Sequence, residues 1–261
     1  MYQQLVPLSA ERHGDKLLLP RTDYRFAAGT AVVALVPAEL PRAALELPVG
    51  FARQNDRLTL IGILSPRPST NLYVAEDGQW LGGYVPAQIR AYPFAVARLG
   101  ENAEPTLCID EGSSRLSETE GEPLFTSEGE AGRPVSEARQ FFQQMLQQEQ
   151  AGLRLCHLLD DKQVIEPWAL KYKDGSETER ETKGLYRVNE QTLNELADND
   201  FLALRSGGAL TLAYTQLLSM GKVATFQRLA NLRRQMAVQQ AANTEQGGAG
   251  DTDDTFNFSS L

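Results

Sequence analysis

The chain has 261 residues, enough for one large domain or two modest ones. Hydrophobic residues make up 42% of it, which supports a packed core. A formal net charge of −9 disfavours non-specific binding to nucleic acid or to an anionic membrane, because both are negatively charged.

The N-terminal run MYQQLVPLSAERHGDKLLLP has no basic segment followed by a continuous apolar one, so no signal peptide is expected. No apolar run approaches membrane-spanning length. The expectation is a protein made in the cytoplasm and not inserted in a membrane. Export to the cell surface without a cleaved signal is compatible with it. Residues 1–23 read as an arm or a loose first strand, with Leu17, Leu18 and Leu19 ahead of Pro20. Residues 31–36 are an apolar run that predicts a buried strand, and Pro37 and Pro41 frame a helical turn to Leu47. The runs 49–53 and 58–64 flank Gln54-Asn55-Asp56-Arg57 and predict a hairpin.

The densest signals lie in residues 71–99, NLYVAEDGQWLGGYVPAQIRAYPFAVARL. Leu72-Tyr73-Val74 predicts a strand, Glu76-Asp77-Gly78 a turn, and Pro86 the start of a short helical crossing that Pro93 ends. Phe94 to Leu99 and 107–109 predict two more strands, giving about seven between residues 24 and 110, spaced as in an antiparallel sheet or partly open barrel. Trp80, Tyr84, Tyr92 and Phe94 are expected in one aromatic cluster around Arg90. Two readings of Arg90 stand: a guanidinium that satisfies loop carbonyls, or one that recognises an anion.

Tyr84-Val85-Pro86-Ala87-Gln88-Ile89-Arg90-Ala91-Tyr92-Pro93-Phe94 resembles the signature of the bacterial SapC family. Further matches follow in the expected order: Tyr24-Arg25-Phe26-Ala27, Pro48-Val49-Gly50-Phe51, Asn71-Leu72-Tyr73-Val74, Asp77-Gly78-Gln79-Trp80, Cys108-Ile109-Asp110 and Gly121-Glu122-Pro123-Leu124-Phe125. The resemblance covers about residues 5–235. It implies a surface-layer association, from the gene cluster that names the family, and no catalytic residues. The sequence departs from the family pattern at Ala91, where a second basic residue is common. That weakens the case for a strongly basic site beside Arg90.

Residues 111–134 are acidic and rich in Gly and Ser, and read as a surface loop or linker anchored by Leu124-Phe125. Pro134 opens an amphipathic helix marked by Phe141, Phe142, Met145, Leu146, Leu153 and Leu155, with Gly152 as a break or kink. Residues 164–173 and 178–188 predict a second hairpin, and Asn189 a helix N-cap. Phe201-Leu202-Ala203-Leu204 reads as a short strand. Residues 209–236 are a helix that Gly221 divides. Residues 237–261 lose periodicity and read as a disordered acidic tail. Its Phe256, Phe258 and Leu261 are candidates for docking onto a partner or for packing back onto the chain's own domain.

Signals for chemistry are sparse. His13 lies in a polar turn, and His157 beside Cys156 on an apolar helix face reads as a core residue rather than a base. Cys108 and Cys156 read as buried thiols. No phosphate-loop, nucleophile-elbow or zinc motif occurs, so no cofactor or metal is expected.

The expected fold is α+β: a mainly antiparallel β-rich part over 1–110, the acidic loop over 111–134, a helical part with a hairpin over 135–236, and the tail. The expected function is a non-catalytic binding or accessory protein whose partner is another protein, associated with the surface layer or with an enzyme. The competing reading is an enzyme or small-ligand binder using a pocket around Trp80, Tyr84, Arg90 and Tyr92. A concave pocket with perturbed titratable groups favours the second, and an exposed apolar patch the first.

Overall fold

The computed structural model describes residues 1–54, 56–98, 100, 104–173 and 178–247, with side chains of the last helix described to residue 239. The chain opens with β1 (Leu5–Pro7), one helical turn α1 (Ala10–His13) and β2 (Leu17–Leu18). β3 (Val32–Ala34) leads through a 3-10 turn into α2 (Leu40–Glu46). The hairpin β4 (Val49–Gln54) and β5 (Arg57–Ile63) follows, then α3 (Ala87–Arg90), β6 (Phe94–Arg98) and β7 (Pro105–Asp110). Next come β8 (Leu116–Ser117), β9 (Glu122–Pro123) and the long helix α4 (Arg133–Asp161). β10 (Ile165–Pro167), β11 (Lys171–Lys173), β12 (Glu179–Glu181) and β13 (Leu185–Val188) precede α5 (Glu190–Asn194), α6 (Asp198–Ser206), α7 (Ala209–Ser219) and α8 (Thr225–Gly247). The fold is α+β, with antiparallel sheets in the N-terminal part and helices in the C-terminal part.

The main sheet has the order β10-β13-β4-β5-β3, so it takes three strands from before residue 110 and two from after residue 134. β5 is its apolar spine: Leu58, Leu60, Ile61 and Ile63 are all buried, because α4 packs along it as well as its neighbouring strands. Gly62 lies where a Cβ would meet the Leu47 side chain at 2.6 Å, so α2 can close onto the sheet only over a glycine. A second sheet, β1-β7-β6, pairs the N-terminal arm with residues a hundred positions later, Leu5 opposite Asp110.

Two hydrophobic cores result. The larger joins the main sheet to α2, α7 and α8, with Phe51, Ile63, Leu159, Leu212 and Leu229 inside. The smaller holds Phe94, Ile109, Leu124, Phe125, Val135, Ala138 and Phe142. α4 belongs to both, through Phe142 near its start and Cys156 and Leu159 near its end.

Several expectations are corrected. Phe201–Leu204 lies in α6, not in a strand; Asp198 and Asp200 favour the helix start, and a four-residue apolar run carries no period of its own. α4 runs through Gly152 unbroken, and that glycine instead admits the Pro37 ring, 3.2 Å from where its Cβ would lie. Residues 111–134 hold β8 and β9, which flank β2 in a small sheet. Leu72-Tyr73-Val74 forms one bridge, Val74 to Trp80, rather than a strand. The last helix continues to Gly247, past residue 236. His157 is exposed, because it sits about 100° around the helix from buried Cys156, while His13 is buried and not in an open polar turn.

Candidate functional site

The residues of 71–99 sort into two groups. Trp80 stacks on Tyr73 at 5.5 Å and leans on Tyr24 at 5.6 Å. Tyr92 stacks flat on Phe26, with ring centroids 3.9 Å apart, and meets Tyr2 at 5.8 Å. Tyr24 and Phe26, 6.2 Å apart, connect the two groups into one run of rings. Trp80 Nε1 donates to Tyr84 O at 2.9 Å. Tyr84 hydroxyl donates to Glu39 Oε1 at 2.7 Å, an oxygen that also accepts from Ala87 N, while Glu39 Oε2 accepts from Val36 N. Burial, and then the Glu39 carboxylate, push the Tyr84 phenol up to about 12.

Beneath this run three arginines converge. Arg21 Nη2 donates to Arg90 O at 2.6 Å and to Tyr92 O at 2.8 Å. Arg115 Nη1 donates to the same Tyr92 O at 2.7 Å, and its Nε and Nη2 donate to Leu19 O. The two guanidiniums thereby clamp the Leu19–Arg21 segment against the turn after α3, where the Tyr92–Pro93 peptide is cis. Arg90 Nε donates to Val85 O at 3.1 Å, and its guanidinium lies 5.9 Å from the ring centres of both Tyr84 and Phe141. Arg21 is held in the same way over Tyr24 and Phe26.

A cavity of about 530 Å³ opens on these cations, and its apolar lining includes Leu18, Leu19 and Pro20 together with Phe141 and Phe142 of α4. Arg133, Glu122 and Glu137 complete its charged lining. Arg133 is matched: it makes two hydrogen bonds to Glu122 and lies 3.6 Å from Glu137. Among the described residues, Arg21, Arg90 and Arg115 form no ion pair; their acceptors are backbone carbonyls. Four guanidiniums against two carboxylates give the lining a formal charge of +2, within a chain of −9. Burial, and then the charge of Arg21, pull the Arg115 guanidinium down to about 10. Arg21 Nε is buried without an acceptor, at a cost of about 1–3 kcal/mol that the rest of the fold offsets.

Two other cavities are less suited to a charged ligand. One of about 510 Å³ lies between β3, β6 and α4 and mixes Arg57 and Arg98 with Glu149. One of about 480 Å³ lies beside His13 and Lys16, where Lys16 already meets Glu118 and His13 Nε2 lies 3.2 Å from Glu111. Among the described residues no cluster of His, Cys, Asp and Glu could hold a metal ion.

Of the expected site residues, Arg90 and Tyr92 line the main cavity. Trp80 and Tyr84 do not; they buttress α3 from the side of the larger core. Phe256, Phe258 and Leu261 lie outside the described residues. Arg21, Arg115, Phe141 and Phe142 were not anticipated. Arg115 had one available signal, its isolation as a cation between Glu111, Glu118, Glu120 and Glu122. Arg90 satisfies a loop carbonyl, Val85 O, and also lines the cavity. The basic neighbour that the sequence lacks at Ala91 is supplied in space by Arg21 and Arg115.

The family model described as SapC matches residues 8–226. The chain belongs to the SapC family. No curated protein and no solved structure matches it. Every residue lining the main cavity of this SapC chain falls inside the matched span. Among its described residues no helix is long and apolar enough to cross a membrane.

Proposed function

We propose that this SapC chain is a non-catalytic binding protein that holds a small anionic ligand in the cavity under Tyr92. One observation carries the reading: Arg21, Arg90 and Arg115 converge on one concave space and, among the described residues, form no ion pair. Guanidiniums keep their protons at neutral pH, so they recognise charge and do not shuttle protons. The cavity's lining includes no His, Lys, Cys or Asp, and its two carboxylates, Glu122 and Glu137, are both engaged by Arg133. Binding, rather than acid–base or nucleophilic chemistry, is what such a lining supplies. The surface-layer association and the accessory role enter from the family name.

The test is calorimetric titration of the full chain with sulfate, inorganic phosphate and benzoate, beside Arg90→Gln. Arg90 is exposed, so the variant keeps the fold. At least one anion is expected to bind, with affinity falling about tenfold in the variant. Failure of all three anions to bind would remove the reading.

A second reading has its own observation. Leu45 on α2 is 66% exposed, and Leu218 on the adjoining α7 is 82% exposed, with Tyr214 one turn before it. Exposed apolar side chains on two packed helices suit a protein partner. Cross-linking in lysate of the source cell, with Leu218→Glu as the control, tests it: a specific cross-link lost in the variant supports the patch, and one retained removes it.

A further inference from the structure

We infer that the ligand of the arginine cavity is a soluble phosphate monoester with a small apolar body. The inference rests on the anion-binding reading above and names its chemical class.

The first argument is charge. Arg21 and Arg115 both donate to Tyr92 O, so two cations share one neutral acceptor. A carbonyl dipole does not discharge two guanidiniums; burial first, and their mutual repulsion second, loosen the proton of Arg115. A monoanion would match one of them. A phosphate monoester carries close to two negative charges at neutral pH, which equals the formal +2 of the lining.

The second argument is donors. Each guanidinium has five N–H groups. Arg115 spends three hydrogen bonds on carbonyls, Arg21 two and Arg90 one, so each keeps N–H groups over. The three terminal oxygens of a phosphate monoester can accept from several guanidiniums at once. Because Arg21 and Arg115 meet on a single oxygen, the charges to be matched lie close together. Two charges on one phosphorus fit that spacing better than two separated carboxylates.

The third argument is the wall. Leu18, Leu19, Pro20, Phe141 and Phe142 all line the space, which gives the ester's organic part apolar surface to lie against. The volume of about 530 Å³ lies within the range of small-molecule sites, about 300–1,000 Å³.

The experiment is titration of the full chain with phenyl phosphate at about pH 5 and about pH 7.5, either side of the ligand's second ionisation near 6. Binding is expected to tighten about tenfold at the higher pH, because the ligand gains a charge while the guanidiniums keep theirs. Benzoate, with the same ring and one charge, is expected to bind about tenfold more weakly than phenyl phosphate at the higher pH. Glu122 and Glu137 are the lining's carboxylates, so Glu137→Gln checks that the pH effect belongs to the ligand; its slope is expected to match the unsubstituted chain. A slope lost in that variant would overturn the inference. Affinity for phenyl phosphate that is flat with pH, or benzoate binding equally well, would overturn it too and leave the anion-binding reading standing. Equal affinity for phthalate would reassign the site to dicarboxylates. Co-sedimentation with phosphatidylcholine vesicles containing phosphatidic acid, and not with phosphatidylcholine alone, would overturn the soluble source. If no anion of any kind binds, both readings fall together.

Discussion

Glu39 gathers three donors onto one buried carboxylate: Tyr84 hydroxyl and Ala87 N on one oxygen, Val36 N on the other. A Glu39→Gln side chain must turn an NH₂ towards a donor, leaving at least one buried group unsatisfied. The expected loss is about 2 kcal/mol, read in thermal unfolding as a Tm lower by about 4–8 °C; an unchanged Tm would contradict the network. Tyr84 adds a pH dependence. Its phenol is neutral in the fold up to about 12, whereas an unfolded tyrosine ionises near 10. Stability from the neutral phenol is therefore complete below pH 10 and is lost as pH climbs from 10 to about 12. Tyr84→Phe should start less stable at pH 8 and then lose less across that window, as measured by urea midpoints; an identical alkaline decline would exclude Tyr84 as a source. At this scale Arg90 and Tyr92 were legible, because a short proline-framed turn keeps them local in sequence. Arg21 and Arg115 were not, since their bonds reach 23 to 96 residues along the chain and leave no spacing to read.

Long periodic elements were readable and short ladders were not. α4 shows its apolar spacing for most of its 29 residues. β8 and β9 have two residues each, which is too little for any alternation, and they are held by β2 rather than by their own composition. The helix also makes a mechanical claim. Its N-terminal turns pack in the smaller core and its C-terminal turns in the larger, so it couples the unfolding of both. Gln147 lies on its exposed side between them. Gln147→Pro removes a backbone hydrogen bond and costs about 3 kcal/mol, while Gln147→Ala is expected to be nearly silent. Circular dichroism and tryptophan fluorescence should give one coincident transition in the unsubstituted chain and two separated ones in the proline variant. Coincident curves in both would mean that the cores are joined mainly through the sheet.

Across the whole molecule, the N-terminal arm ties one end of the chain to the site. Gln3 N and Gln4 N donate to the buried Asp110 carboxylate, and the Tyr2 ring leans on Tyr92 at a tilt while its hydroxyl donates to Phe94 O. Deleting residues 1–8 strips these donors and bares the edge of β7. The expected result is a Tm lowered by several degrees, on the order of 2 kcal/mol or more, together with weaker anion binding because Tyr92 loses a supporting ring. A truncated chain as stable as the full one would show that the arm is incidental.

That same pairing sets a timetable. β1 leaves the ribosome about a hundred residues before the strand it pairs with, and at a synthesis rate of roughly 5–20 residues per second the wait is about 5–20 s. During that interval Leu5, Val6 and Leu8 have no native partner while the β4–β5 hairpin is already complete. The cavity can therefore close only late in translation, after Asp110 and Arg115 have emerged. A nascent chain stalled before that point should present its N-terminus to chaperones instead of to its own sheet.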